Sequence, residues 1–200
     1  MPDLSIQSFL PQARDYLLQA RPSGVPGWSP EAAFRIEPLG QGEYNMNFLV
    51  RQGQTAWVLR VNSGSQIGLT LAEQITYEYK TLQLLAPASV APQPYFLNSS
   101  LDFLPYGVLG MSYLPGEKLD YRRDLADAAR LMARYHQIEV PHEENHLIRE
   151  EQPLTLTYQR CTRMMQVYLD SQLADPEFRS YLLEVRQWAG EARHREVYYQ

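Results

Sequence analysis

The segment from residue 39 to residue 61 reads LGQGEYNMNFLVRQGQTAWVLRV, and it decides the fold. Its runs Asn47–Arg51 and Ala56–Val61 have the composition of short β-strands. Between them, Gln52-Gly53-Gln54 predicts a tight turn. We therefore expect an antiparallel hairpin, preceded by a loop that contains glycine.

On both sides of this hairpin, the sequence predicts a mixture of strands and helices, and toward the C-terminus it predicts helices alone. Further strands are predicted at residues 35–39, 93–97 and 106–112, and helices at residues 3–20, from Thr70 to before Pro87, along 125–136, along 158–168 and from Asp175-Pro176 onward. In the helix at 158–168, we expect Cys161 to pack in a core beside Met165.

This order predicts an α+β fold, in which a five-stranded antiparallel sheet with one inserted helix precedes a helical region. We divide the chain into an N-terminal helix and loop (residues 1–31), a lobe that contains the sheet (32–114) and a helical part (115–200).

A glycine-containing loop lies between two predicted strands, with Gly40, Gly42 and Asn45 at its turning point. Glycines at such a place let backbone N–H groups approach phosphate oxygens. The alternative is an ordinary hairpin turn, because Gly-x-Gly is a common pattern.

The next strand carries a cation inside an apolar run. Strand alternation places Val58 and Arg60 on one face. A buried cation needs an anionic partner, which can be a carboxylate or a phosphate. On the following helix Glu78 borders the packed face and is the favoured carboxylate, with Glu73 as a competing candidate. The alternative is an edge-strand arginine that faces water.

The stretch from Tyr106 to Gly116 is an apolar strand that runs into Pro-Gly, as a connector between two lobes does. Backbone groups around Ser112, Tyr113 and Leu114 can pair with the edge of an adenine ring. By itself the stretch is also compatible with a plain strand and turn. Four features follow one another in the order that a kinase-like N-lobe requires: the glycine-containing loop, the strand arginine, the helix glutamate and the connector.

At this point the sequence resembles the aminoglycoside phosphotransferase and choline kinase family, over residues 32–138. The matching segments are Gly40-Gln-Gly42-Glu-Tyr-Asn45, Trp57-Val-Leu-Arg60-Val, Glu78 with Leu82 and Leu85, Val90-Ala-Pro92-Gln-Pro94, Met111-Ser-Tyr-Leu-Pro115-Gly116 and Leu131-Met-Ala-Arg-Tyr135-His136. Asn45 stands where protein kinases have a third glycine.

The resemblance implies a protein-kinase-like N-lobe followed by the helical start of a C-lobe, with ATP bound between them. It implies that Arg60 holds the nucleotide phosphates, that Glu78 orients Arg60, and that residues 111–114 hold adenine. Gly40, Gly42, Asn45 and Val58 complete the expected nucleotide site. The acceptor in the complete protein is expected to be a small molecule with a hydroxyl group.

The catalytic loop of this family, His-x-Asp-x-x-x-x-Asn, does not occur in the sequence, because the residues that follow His136, His142, His146 and His194 do not fit the pattern. We expect a chain truncated before that loop, with no catalytic residues of its own and with its Mg²⁺ ligands beyond residue 200. The alternatives are a non-catalytic, pseudokinase-like nucleotide-binding or interaction module, or an unrelated α+β binding domain.

Composition excludes several other classes of protein. The net charge of −5 argues against a nucleic-acid partner. One cysteine excludes an internal disulfide framework and a multi-cysteine zinc site. Residues 1–10 do not form a signal peptide, and no apolar stretch approaches the ~20 residues that span a bilayer. We expect a cytoplasmic protein without membrane contact, and the sequence does not indicate its oligomeric state.

Overall fold

A computed structural model describes residues 5–65, 67–141, 145–149 and 151–192 of the chain. Its elements in chain order are α1 (Ile6–Ala20), β1 (Arg35–Gln41), β2 (Asn45–Gln52), β3 (Thr55–Asn62), α2 (Leu71–Leu85), a short 3₁₀ helix (Ala86–Ala88), β4 (Pro94–Asn98), β5 (Gly107–Ser112), α3 (Leu125–His136), α4 (Pro153–Leu169) and α5 (Pro176–Ala192). Residues 3 and 4 of the first predicted helix lie outside the described residues.

The five strands form one antiparallel sheet in the order β1-β2-β3-β5-β4, which confirms the predicted α+β fold. The hairpin of β2 and β3 turns at Gly53, whose φ of 56° is a left-handed angle that glycine adopts at low cost. Its register pairs Asn47 with Arg60. On its other edge β3 pairs with β5, where Arg60 faces Leu109. Arg60 therefore lies on a central strand, where ladder partners on both sides fix its backbone.

One face of the sheet is covered by α1. Phe9 and Leu17 of the helix pack with Phe48, Trp57 and Leu59 of the strands, and all five are at most 3% exposed. Successive residues of a strand point to opposite faces of the sheet. Because Trp57 and Leu59 face α1, Val58 and Arg60 lie on the face away from α1.

The opposite face of the sheet receives α2, which packs through Ile75 against Val58 and Leu109. The helix approaches β5 closely at Gly107, where an added Cβ would meet the Ile75 Cβ at 2.5 Å. Only glycine fits this contact without a shift, so Gly107 sets how near α2 can come to the sheet.

The N-terminus of α2 is closed by a capping box. The Thr70 hydroxyl accepts from the backbone N–H of Glu73, and the Glu73 carboxylate accepts from the Thr70 backbone N–H at 2.9 Å. Hydrogen bonds from the Thr70 backbone and hydroxyl hold the pKa of Glu73 below its ordinary value. Glu73, the competing candidate for the partner of Arg60, therefore serves as a helix cap.

The chain forms two compact units, residues 1–147 and 148–200. The first unit contains α1, the sheet, α2 and α3. The lobe boundary predicted at residue 115 falls inside it and stays a prediction about function.

In the second unit, α4 packs against α5. The predicted start of α5 is confirmed, because the Asp175 carboxylate caps the helix by accepting from the Phe178 backbone N–H at 2.9 Å. The expectation that Cys161 is buried is wrong, since its side chain is exposed. The pairing of two helices does not cover every apolar position on their surfaces.

Candidate functional site

Arg60 of β3 and Glu78 of α2 form an ion pair. Their Nη1 and Oε2 atoms are 3.1 Å apart, and the two side chains are 27% and 17% exposed. Arg60 also donates through Nε to Asn47 Oδ1 at 2.9 Å. The water-facing alternative for Arg60 is therefore excluded. A guanidinium has five N–H donors, so this one can hold Glu78 and Asn47 and still donate to a further anion.

Glu78 is held by more than Arg60. Its Oε1 accepts from Gln74 Nε2 at 3.1 Å, one helical turn away, and from Asn62 Nδ2 at 3.5 Å. The Gln74 Oε1 in turn accepts from the hydroxyl of Ser65 at 2.7 Å. Both carboxylate oxygens are thus hydrogen-bonded, which stabilises a partly buried charge and fixes its direction.

The predicted loop at residues 40–45 overlaps the strands, because β1 extends beyond residue 39 to include Gly40 and Gln41, and Asn45 begins β2. The turn between the strands is closed by a hydrogen bond from the Gly42 N–H to the Asn45 carbonyl at 2.8 Å. Neither Gly40 nor Gly42 has a left-handed φ, so the backbone conformation does not itself require glycine there. An added Cβ on Gly40 would meet no atom within 4 Å among the described residues. Open space over Gly40 allows another molecule to approach the backbone closely.

Seven of the ten predicted site residues line one cavity of about 240 Å³. They are Gly40, Val58, Arg60, Met111, Ser112, Tyr113 and Leu114, and Leu39, Asn47 and Pro92 complete the lining. The volume of the cavity is below the ~300–1,000 Å³ of typical small-molecule pockets.

Two of the remaining three residues, Asn45 and Glu78, line a second cavity of about 260 Å³. Glu43, Tyr44, Asn62, Gly64, Ile67 and Gln74 also line it. Gly42 lines neither of these two cavities. Arg60 in the first cavity and Glu78 in the second are joined by their ion pair. The structure thus connects the two groups of predicted residues through this pair.

The connector after β5 supplies fewer free backbone groups than the sequence suggested. The Ser112 N–H donates to the Gln93 carbonyl at 2.8 Å, and the Ser112 hydroxyl accepts from the Gln93 N–H at 2.9 Å. The Ser112 N–H is therefore already used within the protein. Tyr113 packs beside Val58 and Met111. Of the predicted connector residues, Tyr113 and Leu114 lie beyond the end of β5.

Sequence reasoning missed three polar residues of this network, namely Asn47, Asn62 and Gln74. Two of the three have a signal in the sequence. Asn62 follows Arg60 by two residues and so shares its face of β3. The position of Asn47 opposite Arg60 follows from the hairpin register, which the structure shows. Gln74 precedes Glu78 by four residues, which is one helical turn.

The described residues contain no group of three or more histidine, cysteine, aspartate or glutamate side chains arranged to hold a metal ion. Among the same residues, no helix is both long enough and apolar enough to cross a membrane.

Comparisons with known proteins bear on this geometry. Residues 35–196 match the model of a family described as "Phosphotransferase enzyme family". A crystal structure from Ralstonia eutropha JMP134, named a "putative aminoglycoside phosphotransferase", is similar in fold, with a TM-score of 0.51 and 16% sequence identity. That match covers 81% of this chain and 48% of the other, so the chain spans about half the length of that protein. A search of curated proteins found no match.

Proposed function

This chain belongs to the phosphotransferase enzyme family, and on that premise we propose that it forms the ATP-binding part of a small-molecule kinase. The complete enzyme transfers the γ-phosphoryl group of ATP to a hydroxyl group of a small acceptor. The bond between the γ-phosphorus and the β,γ-bridging oxygen breaks and releases ADP, a bond from the phosphorus to the acceptor oxygen forms, and the hydroxyl proton passes to a catalytic base and then to solvent. The site works in the cytoplasm, where ATP is the abundant phosphoryl donor.

The observation that carries the proposal is the Arg60–Glu78 ion pair at the wall of the cavity formed by residues 111–114. The apolar side chains of Val58 and Met111 offer surfaces for an adenine ring. From the same cavity wall, Arg60 can reach phosphate oxygens. An adenine surface and a phosphate-binding cation in one cavity match the two ends of a nucleotide.

Arg60 is suited to this role by the shape of its guanidinium. The planar group can bind a carboxylate on one side and phosphate oxygens in a bidentate manner on another. Because Glu78 and Asn47 already fix its orientation, little side-chain entropy is lost when phosphate binds. Backbone N–H groups at the tip of the loop add neutral donors to the same anion, except that of Gly42, which donates to the Asn45 carbonyl.

The sequence contains no His-x-Asp-x-x-x-x-Asn motif. We therefore propose that catalysis and Mg²⁺ binding depend on residues outside these 200, and that this chain alone does not transfer phosphate. The expected result of incubating the pure chain with Mg²⁺, radiolabelled ATP and a panel of hydroxylated small molecules is no labelled product. Labelled product that disappears in Arg60→Ala would contradict this.

A non-catalytic nucleotide-binding or interaction module is the second candidate. The absence of the catalytic motif from the sequence favours it. The two candidates share the ATP site and differ in chemistry. Joining the chain to a catalytic segment of a related kinase separates them, because phosphate transfer by the joined protein supports the enzyme, and ATP binding without transfer supports the module.

Calorimetric titration with ATP and Mg²⁺ tests the binding site that both candidates need. We expect Arg60→Ala to weaken ATP binding by about tenfold or more, since a charge-assisted phosphate contact contributes ~1.5–3 kcal/mol. Arg35→Ala is the matched control, because Arg35 is exposed and begins β1 about five residues, or ~17 Å, from Gly40. Equal ATP affinities for both variants and the wild type would refute the site.

A further inference from the structure

Asn62, the last residue of β3, is fully buried, and its amide nitrogen lies among three acceptors. Nδ2 donates to Asn45 Oδ1 at 3.0 Å, to the Tyr44 carbonyl at 3.4 Å and to Glu78 Oε1 at 3.5 Å. An amide nitrogen has two hydrogens, so the two longer contacts share the one that Asn45 does not take.

These three acceptors belong to two different elements. Tyr44 and Asn45 form the end of the glycine-containing loop and the start of β2, whereas Glu78 lies on α2. The backbone adds to the connection, because the N–H of Ser63 donates to the Tyr44 carbonyl at 2.8 Å. Asn62 therefore joins the loop to the helix through a single side chain.

Packing alone does not account for an asparagine at this position. No donor among the described residues reaches its Oδ1, which is buried and unpaired. An unpaired buried acceptor is unfavourable, and an apolar side chain of similar size would avoid that cost. The contribution of Asn62 must therefore come from its Nδ2 contacts.

The direction of those contacts matters for the charges nearby. A hydrogen bond from Nδ2 orients the Asn45 amide so that Asn45 presents its oxygen to Asn62 and its own N–H donors elsewhere. The contact with Glu78 Oε1 lies on the carboxylate oxygen that Arg60 does not use. Asn62 thus acts on both the phosphate-binding loop and the group that orients Arg60.

We propose that Asn62 is a positioning residue that fixes the loop at residues 40–45 relative to Glu78, and so sets the space in which ATP phosphates meet Arg60. The inference rests on the proposed ATP binding. Asn62 itself does not contact the nucleotide. It determines the position of the loop at residues 40–45 relative to Arg60, and it has no effect on the adenine surface.

Asn62→Asp tests the proposal, because the carboxylate keeps the size of the amide but places an acceptor where Nδ2 donated. It also puts a negative charge beside Glu78. We expect ATP affinity to fall about tenfold and the affinity for adenosine, which has no phosphates, to change less than twofold. Calorimetry with ATP and with adenosine measures both. A variant that only loosens the fold would weaken the two ligands alike.

Asn98→Asp is the matched control. Asn98 lies in the same sheet, and its Nδ2 donates to the Tyr16 hydroxyl at 3.2 Å, on the side of α1. We expect its ATP and adenosine affinities to equal those of the wild type. Equal losses of ATP and adenosine binding in Asn62→Asp, or no loss of ATP binding, would overturn the positioning role.

The ¹⁵N spectrum of the Arg60 Nε–H group, recorded without nucleotide and assigned by its loss in Arg60→Lys, separates this inference from the proposed function. We expect the resonance to shift in Asn62→Asp and to stay in place in Asn98→Asp. If the wild type binds neither ligand, the proposed function fails, and this spectrum alone decides: a shift supports positioning by Asn62, and an unchanged resonance overturns it.

Discussion

Arg60 obtains its side-chain orientation from two neighbouring elements rather than from its own strand alone. Asn47 of β2 holds its Nε and Glu78 of α2 holds its Nη1. The side chain is 27% exposed, so part of the guanidinium remains open to a ligand. A cation that is held but not fully neutralised can bind phosphate without first breaking a contact with the protein.

Glu78→Gln tests this orientation at the scale of a single residue. Glutamine keeps the shape but loses the negative charge, so Arg60 donates to a neutral acceptor and the Coulombic attraction of the ion pair is lost. We expect ATP affinity to fall about three- to tenfold, because Arg60 is less firmly oriented, with little change in folding. Calorimetry and thermal unfolding measure the two effects.

Glu37→Gln provides the matched control for that measurement. Glu37 lies 3.5 Å from Arg51, and both of these side chains are at least 50% exposed, so their pairing contributes little. We expect its ATP affinity to equal that of the wild type. If ATP affinity falls as much in Glu37→Gln as in Glu78→Gln, or does not change in Glu78→Gln, then Glu78 does not orient Arg60 for ATP binding.

At the scale of elements, α2 carries Glu78 and Gly107 sets its distance from the sheet. A methyl group at Gly107 would lie 2.5 Å from Ile75 and 2.9 Å from the Leu71 carbonyl. The helix must then shift outward, and overpacking of this kind typically costs ~1–3 kcal/mol. We expect Gly107→Ala to lower the free energy of unfolding in urea by that amount and to weaken ATP binding as well.

Gly116→Ala is the control for Gly107→Ala, since an added Cβ at Gly116 would meet no described atom within 4 Å. We expect its unfolding free energy to stay within about 0.5 kcal/mol of the wild type. If Gly107→Ala is destabilised but binds ATP with unchanged affinity, then the distance of α2 from the sheet does not control ATP binding.

The elements differ in how much of them the sequence could predict. The five strands and the cap at Asp175 were predictable because alternation and capping are local patterns. The choice between Glu73 and Glu78 was left open, although Thr70-x-x-Glu73 is itself a capping-box pattern that accounts for Glu73. The hydrogen bond from the Ser112 N–H to the Gln93 carbonyl was not predictable, because it joins segments that are distant in the sequence and no local pattern indicates it.

The helices after residue 120 show the same limit. Their positions followed from periodicity, but periodicity does not say which apolar residues are covered. In the second unit Cys161 and Trp188 line a cavity between α4 and α5, and both are exposed. Burial depends on which elements pack together, so the expected burial of Cys161 could not be settled from one helix.

At the scale of the whole molecule, the proposed nucleotide site lies on one sheet, with α1 on the far face and α2 beside Arg60. The family and the fold are shared with phosphotransferases. The division of labour within the chain is our proposal: the connector at residues 111–114 takes the base, and Arg60 with the loop at residues 40–45 takes the phosphates.

Nuclear magnetic resonance of the Met111 methyl group and the Arg60 Nε–H group during one ATP titration tests this division most directly. We expect ATP to shift both resonances with a single dissociation constant, whereas adenosine shifts the Met111 resonance and leaves that of Arg60 unchanged. Saturating ATP that moves neither resonance, or an Arg60 resonance that responds equally to adenosine and ATP, would contradict this division.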